Sequence, residues 1–149
     1  MRKRLFQAIC ARLNERVPEI RWIDWWNNHL VRLDGEPTWE VPAVFVEFET
    51  IEWRQQNQAV RRGDVGMRLH VVTRAVAPQE AGLRQSDMVA LFDLVDRIHG
   101  ALQGLRGENF SAFQLTSSTT PHDHAEWLEG IERYATNVQD IAAVPDVNR

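Results

Sequence analysis

The chain has 149 residues, 44% hydrophobic and 26% charged, which fits one globular domain of ordinary size. A net charge of -4 argues against a dedicated nucleic-acid binder, and one cysteine excludes an internal disulfide or a cysteine-based zinc site within a single chain. No apolar run approaches the roughly 20 residues that span a bilayer, so the composition describes a soluble, cytoplasmic domain.

The start, Met1-Arg2-Lys3-Arg4, is basic, but Gln7, Arg12 and Asn14 interrupt the apolar residues after it, as in a helix and unlike a signal peptide. Leu5, Ile9, Leu13 and Val17 recur every fourth residue, which predicts an amphipathic helix that Pro18 ends. Ile20 to Trp26 is rich in β-branched and aromatic residues and reads as a strand. Asn27 to Pro42 is polar, carries the turn signals Asp34-Gly35 and Pro37, and reads as a loop. Five of the six tryptophans fall between positions 22 and 53. Such rings either close a compact core at its rim or anchor a subunit interface, for which Trp25 and Trp26 are the candidates.

Ala43 to Glu49 alternates, with Val44, Val46 and Phe48 on one face and Phe45, Glu47 and Glu49 on the other, the pattern of a strand. Arg54 to Asp64 is polar and reads as a long, exposed hairpin connection. It leads into a strand from Val65 to Arg74, where Val65, Met67, Leu69 and Val71 share a face. Met88, Leu91, Phe92, Val95, Ile98, Leu102 and Leu105 follow helical spacing after the N-cap candidate Ser86 and the dipole-matched Asp87; Gly104 and Gly107 end that helix. A short strand comes next, from Phe110 to Ser117. Trp127, Ile131, Tyr134, Val138 and Ile141 have helical spacing, although Gly130, Thr136 and Val138 favour a strand. These elements define an α+β fold, an antiparallel sheet with two helices packed on one face, in a single domain over residues 1–140 with a C-terminal tail at 141–149. The other face, or an edge, is left for a partner.

The motifs of common catalytic sites are missing: there is no GxGxxG, no GxxxxGK[ST] and no GxSxG. Cys10 lies in an apolar helical stripe, the position of a core residue and not of a nucleophile. Gly104-Leu105-Arg106-Gly107 comes after a helix, where the dipole repels phosphate, so it is a cap. His122-Asp123-His124 resembles a metal site, but alternate residues of an extended loop point apart and only Glu126 stands near as a third ligand. Glu47 and Glu49 share a strand face about 7 Å apart, without the further Asp and Lys that a metal-dependent nuclease uses; the solvent face of a strand accounts for them. His29, His70 and His99 stand alone. The residues therefore predict no catalytic group, no metal ligand and no cofactor. The competing reading is a small metal-dependent hydrolase or metal-binding domain that uses His122 and His124.

The chain resembles the tail terminator or tail-completion proteins of long-tailed bacteriophages and prophages, small minor tail proteins. The likeness is carried by Ile20-Arg21-Trp22-Ile23-Asp24-Trp25-Trp26-Asn27-Asn28, Val41-Pro42-Ala43-Val44-Phe45-Val46-Glu47-Phe48 and Gly66-Met67-Arg68-Leu69-His70-Val71. Leu91-Phe92-Asp93-Leu94-Val95-Asp96-Arg97-Ile98-His99, Gly107-Glu108-Asn109-Phe110 and Arg133-Tyr134-Ala135-Thr136 continue it in the same order. These are strand and helix patterns and not chemical motifs. The Trp-dense stretch up to Trp39 departs from the family's pattern and leaves open a neighbouring role, such as a head-tail connector or minor tail component.

The resemblance implies a twisted sheet with helices on one side, and makes Glu126 to Gln139 a strand against its helical spacing. It also implies a non-enzymatic structural protein of the virion tail, assembled in the host cytoplasm as a homo-oligomeric ring, typically a hexamer, that caps the tail tube at its head-proximal end. Its partners would then be the tail tube protein and a head-completion or neck protein, with DNA passing through the lumen without specific binding, as the net charge of -4 per copy would favour if part of it lines the lumen. The candidate assembly residues are Arg54, Gln55, Gln56, Gln58, Arg61 and Arg62 of the hairpin, together with Trp25 and Trp26.

Overall fold

The computed structural model describes residues 1–30, 36–76, 85–121 and 126–145. Helix α1 runs Arg2–Arg16 and buries Leu5, Ile9 and Leu13; the Val17 N–H closes its last turn on the Leu13 carbonyl just before Pro18. The strands are β1 (Trp22–Trp25), β2 (Ala43–Phe48), β3 (Glu52–Gln55), β4 (Arg61–Arg74), β5 (Gln114–Thr119) and β6 (Trp127–Asp140), with helix α2 at Gln85–Leu102. They form one sheet in the order β1-β2-β4-β6-β5, and β3 pairs with the first part of β4 beyond the end of β2. β1 and β2 are parallel and the other neighbours antiparallel. The result is the expected α+β fold, a mostly antiparallel sheet with both helices packed against it.

Alternation along the strands builds the main core. Val65, Met67, Leu69 and Val71 of β4 face the helices with Val44 and Val46 of β2 and Tyr134 and Val138 of β6. Against them lie Leu5, Ile9 and Leu13 of α1 and Leu91, Leu94, Ile98 and Leu102 of α2. At Gly130 the helix comes close: a Cβ there would stand 3.4 Å from Val95 Cγ2. A second, smaller core lies on the opposite face, where Leu30, Trp39, Ala43, Phe45, Val72 and Trp127 are buried and Trp22, Trp26 and Val41 pack around them. The Trp-rich segment is thus a roof over the second face of the sheet.

The C-terminal segment is strand β6, against its helical spacing. It is buried on both faces, Leu128 and Tyr134 on one and Trp127 and Glu129 on the other, so polar alternation is lost. The polar hairpin is shorter than expected, because pairing of β3 with Arg61–Asp64 leaves only Gln56–Val60 as the turn. β5 begins at Gln114; Phe110 instead bridges Gly107 and Val138. Ser86 lies within α2 and does not cap it, while Asp87 accepts the Val76 N–H at 3.2 Å. Helix α2 is also turned from its expected face. Phe92 is 47% exposed whereas Leu94 is buried. Phe92 shares its side of the helix with Asp96, His99 and Gln103, whereas the buried stripe of Leu91, Leu94, Ile98, Ala101 and Leu102 has a single charged member, Asp87 in the first turn, which accepts the Val76 N–H.

One carboxyl group is buried under the helices. Glu132 accepts a hydrogen bond from the Ser118 hydroxyl near His99 and Asp96. Burial pushes its pKa above the ordinary 4.5; the Ser118 hydrogen bond and His99 oppose the rise and Asp96 adds to it.

Leu94→Ala should destabilise by about 2–5 kcal/mol, the range for emptying a buried leucine site, and Phe92→Ala by no more than about 0.5 kcal/mol, as for a surface position. Urea unfolding of the two variants at a concentration where the chain is monomeric distinguishes them. For Glu132 the folded state holds the proton more tightly than the unfolded state, so stability falls as pH rises from 4.5 through the raised folded value. Glu132→Gln should therefore raise Tm at pH 7, by about 2–4 °C per kcal/mol recovered, and the advantage should vanish below pH 4. Thermal melts across that range measure it.

Candidate functional site

The face of the sheet opposite the helices carries the polar chemistry. The strand register sets Phe45, His70 and Ile131 in one row across β2, β4 and β6, and Glu47, Arg68 and Arg133 in the next. His70 is buried, with Nδ1 2.8 Å from Glu129 Oε2 and Nε2 2.9 Å from Glu47 Oε2. Ionised carboxylates only accept hydrogen bonds, so both contacts form together when the imidazole carries both of its protons. The Trp26 indole lies flat on the His70 ring, 3.7 Å between centroids, and its backbone N–H donates to Val46 O at 2.8 Å. His29 stacks on Phe45 at 3.9 Å, and burial lowers its pKa. The row therefore ties the roof segment to the sheet.

Beside it, the Arg133 guanidinium holds Glu49 through Nε at 3.0 Å and Nη2 at 2.8 Å, and Arg68 Nε reaches the same carboxylate at 3.1 Å. The Arg133 hydrogen bonds keep the Glu49 carboxyl below its usual range. The pair sits over Gly66, where any Cβ would collide with both side chains. Further along, Arg74 stacks on Trp127 at 4.7 Å and binds Glu36 and Glu126. Glu47 and Glu49 share a face as expected, but each is occupied by a cationic or imidazole partner, so they do not converge on a common ligand.

Among the candidate assembly residues, Arg54, Gln55, Gln56, Gln58, Arg61 and Arg62 are all exposed. Their turn is internally ordered: Asn57 Oδ1 accepts the Ala59 and Val60 N–H groups at 2.9 Å, and Gln55 Nε2 donates to Asn57 O at 2.6 Å. Arg61 stacks on Trp53 at 4.1 Å and pairs with Asp140 at 2.7 Å. The structure separates the two tryptophans. Trp25 is 60% exposed at the sheet edge, while Trp26 is engaged with His70. His122 and His124 lie outside the described residues. Among the described residues no group of three or more His, Cys, Asp and Glu side chains is placed to hold a metal ion. Burial raises the Cys10 thiol pKa, the direction opposite to nucleophile activation. No helix among them is long and apolar enough to cross a membrane.

No protein-family model matches the chain, and no curated protein matches it. Among solved structures it is similar to a chain in the virion of a native gene transfer agent (GTA) particle, with a TM-score of 0.55 and 9% identity over 91% of this chain and 95% of that one. At that identity the likeness is one of fold.

His70→Ala leaves the buried Glu129 carboxylate without its partner and should cost about 3–5 kcal/mol. Adding Glu129→Gln should return a large part of the loss. Denaturant unfolding of the single and double variants, with near-UV circular dichroism to track the Trp26 stack, checks both expectations.

Proposed function

We propose that this chain is a structural component of a phage or prophage particle, a tail terminator or tail-completion protein. In this reading it forms a homo-oligomeric ring, typically a hexamer, that caps the tail tube at its head-proximal end. It stops tube polymerisation and joins tail to head, acting by binding and without turnover. The observation that carries the reading is the likeness of fold to a virion chain across nearly the whole of both chains. A match of that extent involves the order of helices and strands, and so does the family resemblance of the sequence. Residues 1–140 act as the assembly domain.

The exposed hairpin is the contact to the neighbouring subunit or the tube protein, with Arg54, Arg61, Arg62 and the three glutamines as its donors. Its ordered turn limits the entropy lost on docking. The acidic balance of the chain, at -4 per copy, lets DNA pass a lumen without the counterion-releasing grip of a basic surface. The hydrolase reading gains no support from the pairing of Glu47 with His70 and of Glu49 with Arg133.

The test replaces Gln56–Val60 by Asn-Gly, which closes β3 on β4 with a two-residue turn. Light scattering at several concentrations should give a ring mass for the natural chain. The variant should fold with unchanged circular dichroism, yet fail to arrest polymerisation of the purified tail tube protein from the same genome. Normal arrest by the variant removes the hairpin from the contact, and a natural chain that stays monomeric at every concentration overturns the ring.

A further inference from the structure

Two edges of this sheet are built to meet each other. β1 and β5 are its end strands among the described residues. β1 runs parallel to β2 and β5 antiparallel to β6; because β2 and β6 both run antiparallel to β4, β1 and β5 have opposite directions. A rotation about an axis parallel to the strands preserves those directions. It brings β1 of one copy against β5 of the next as an antiparallel pair, the more favourable ladder. Neither edge carries the lysines or prolines that usually blunt exposed strands: β5 reads Gln-Leu-Thr-Ser-Ser-Thr, and the one charge in β1 is Asp24.

The side chains match as well. The pairings Trp25↔Val46, Val46↔Leu69, Leu69↔Glu132 and Glu132↔Ser118 form a single row across the sheet on its helix-bearing face. If the edges pair in the register that continues this row, Trp25 of one subunit faces Ser118 of the next. Next to Ser118, over the adjoining strand β6, runs a flank of α2: His99 Nδ1 is 3.1 Å from Tyr134 Oη, Val95 stands over Gly130, and Phe92 continues the stripe one turn earlier. Trp25 and Phe92 are the exposed large aromatic residues among the described ones, at 60% and 47%. Trp25 lies in the edge strand β1, and Phe92 on the α2 flank over β6, the strand that pairs with β5.

We propose that β1 of one copy pairs with β5 of the next, head to tail, with Trp25 docking against Ser118 and Phe92 of its neighbour. The partner is a second copy of this chain, a choice that rests on the proposed ring. An interface between unlike edges closes into a ring and not into a two-fold dimer. With the ring axis along the strands, the β3–β4 hairpin at the end of the sheet projects axially, towards the next component of the particle and away from the neighbouring subunit.

The test uses Trp25→Glu and Phe92→Glu, each made in the full chain and checked for an unchanged circular dichroism spectrum. Each substitution disables one edge and leaves the other intact, and each should weaken self-association by about 30-fold or more, the loss of one hot-spot contact. The separate variants should sediment as monomers at concentrations where the natural chain forms rings. Mixed in equal amounts, they should form a 1:1 dimer and nothing larger, because a single pair of intact edges remains. Rings formed by either variant alone overturn the proposal while leaving the ring reading standing, and so does a mixture that stays monomeric. Rings that the two variants lose, in a natural protein that does not arrest the tube, support the edge pairing and count against the terminator reading.

Discussion

Pairing Arg61–Arg74 with Trp127–Asp140 along their whole length creates one long ribbon with two different faces. Every other element is placed by it. β2 and β3 line up one after the other along one side of β4, and β5 lies along β6 on the other side. The helices cover the face that presents Val65, Met67, Leu69 and Val71, and the tryptophan roof covers the end of the opposite face around Val72 and Trp127. The rest of that face stays polar, and there Glu47, Glu49 and Glu129 are each answered by a partner on a neighbouring strand, as buried or half-buried charge requires.

The same ribbon explains what was legible in the sequence. Helix α1 shows because it has a single apolar period and a clear stop at Pro18, and strand β2 shows because its short run is β-branched and aromatic, although Ala43 to Val46 are buried on both faces. Strand β6 hides because both of its faces are covered, so its large residues fall at helical intervals by coincidence. The face of α2 hides for a related reason: Val89 and Phe92 lie outside the core and still look like core residues by type. In each case local periodicity is silent about which of two apolar faces the tertiary structure selects.

The polar site was less legible than the fold. His70 stands alone in sequence, with its carboxylate partners 23 and 59 residues away. No spacing rule connects them, and only the β2–β4–β6 register brings them together. The alternation of Glu47 and Glu49 was visible, but their roles come from His70 and Arg133 on other strands. The exposed hairpin was legible as polar chain, since Asn57 and the glutamines mark a turn. That its flanks are paired strands was not, because Arg61, Arg62 and Asp64 lack β-branching and alternate no apolar residue.

The central ribbon also sets how the molecule must fold. Its far end joins Arg61 to Asp140, 79 residues apart, so the middle of the sheet is made entirely of distant contacts. Such topologies fold slowly, because a large loop is closed before any pairing rewards it. β6 leaves the ribosome well after β4, and until it arrives β4 has an open edge beside an apolar face that lacks Tyr134 and Val138. Nascent chains waiting at that stage carry a template for pairing with one another. Conditions that slow synthesis between β4 and β6, or raise the local concentration of chains that still lack β6, will therefore lower the yield of native protein without changing the stability of the finished fold.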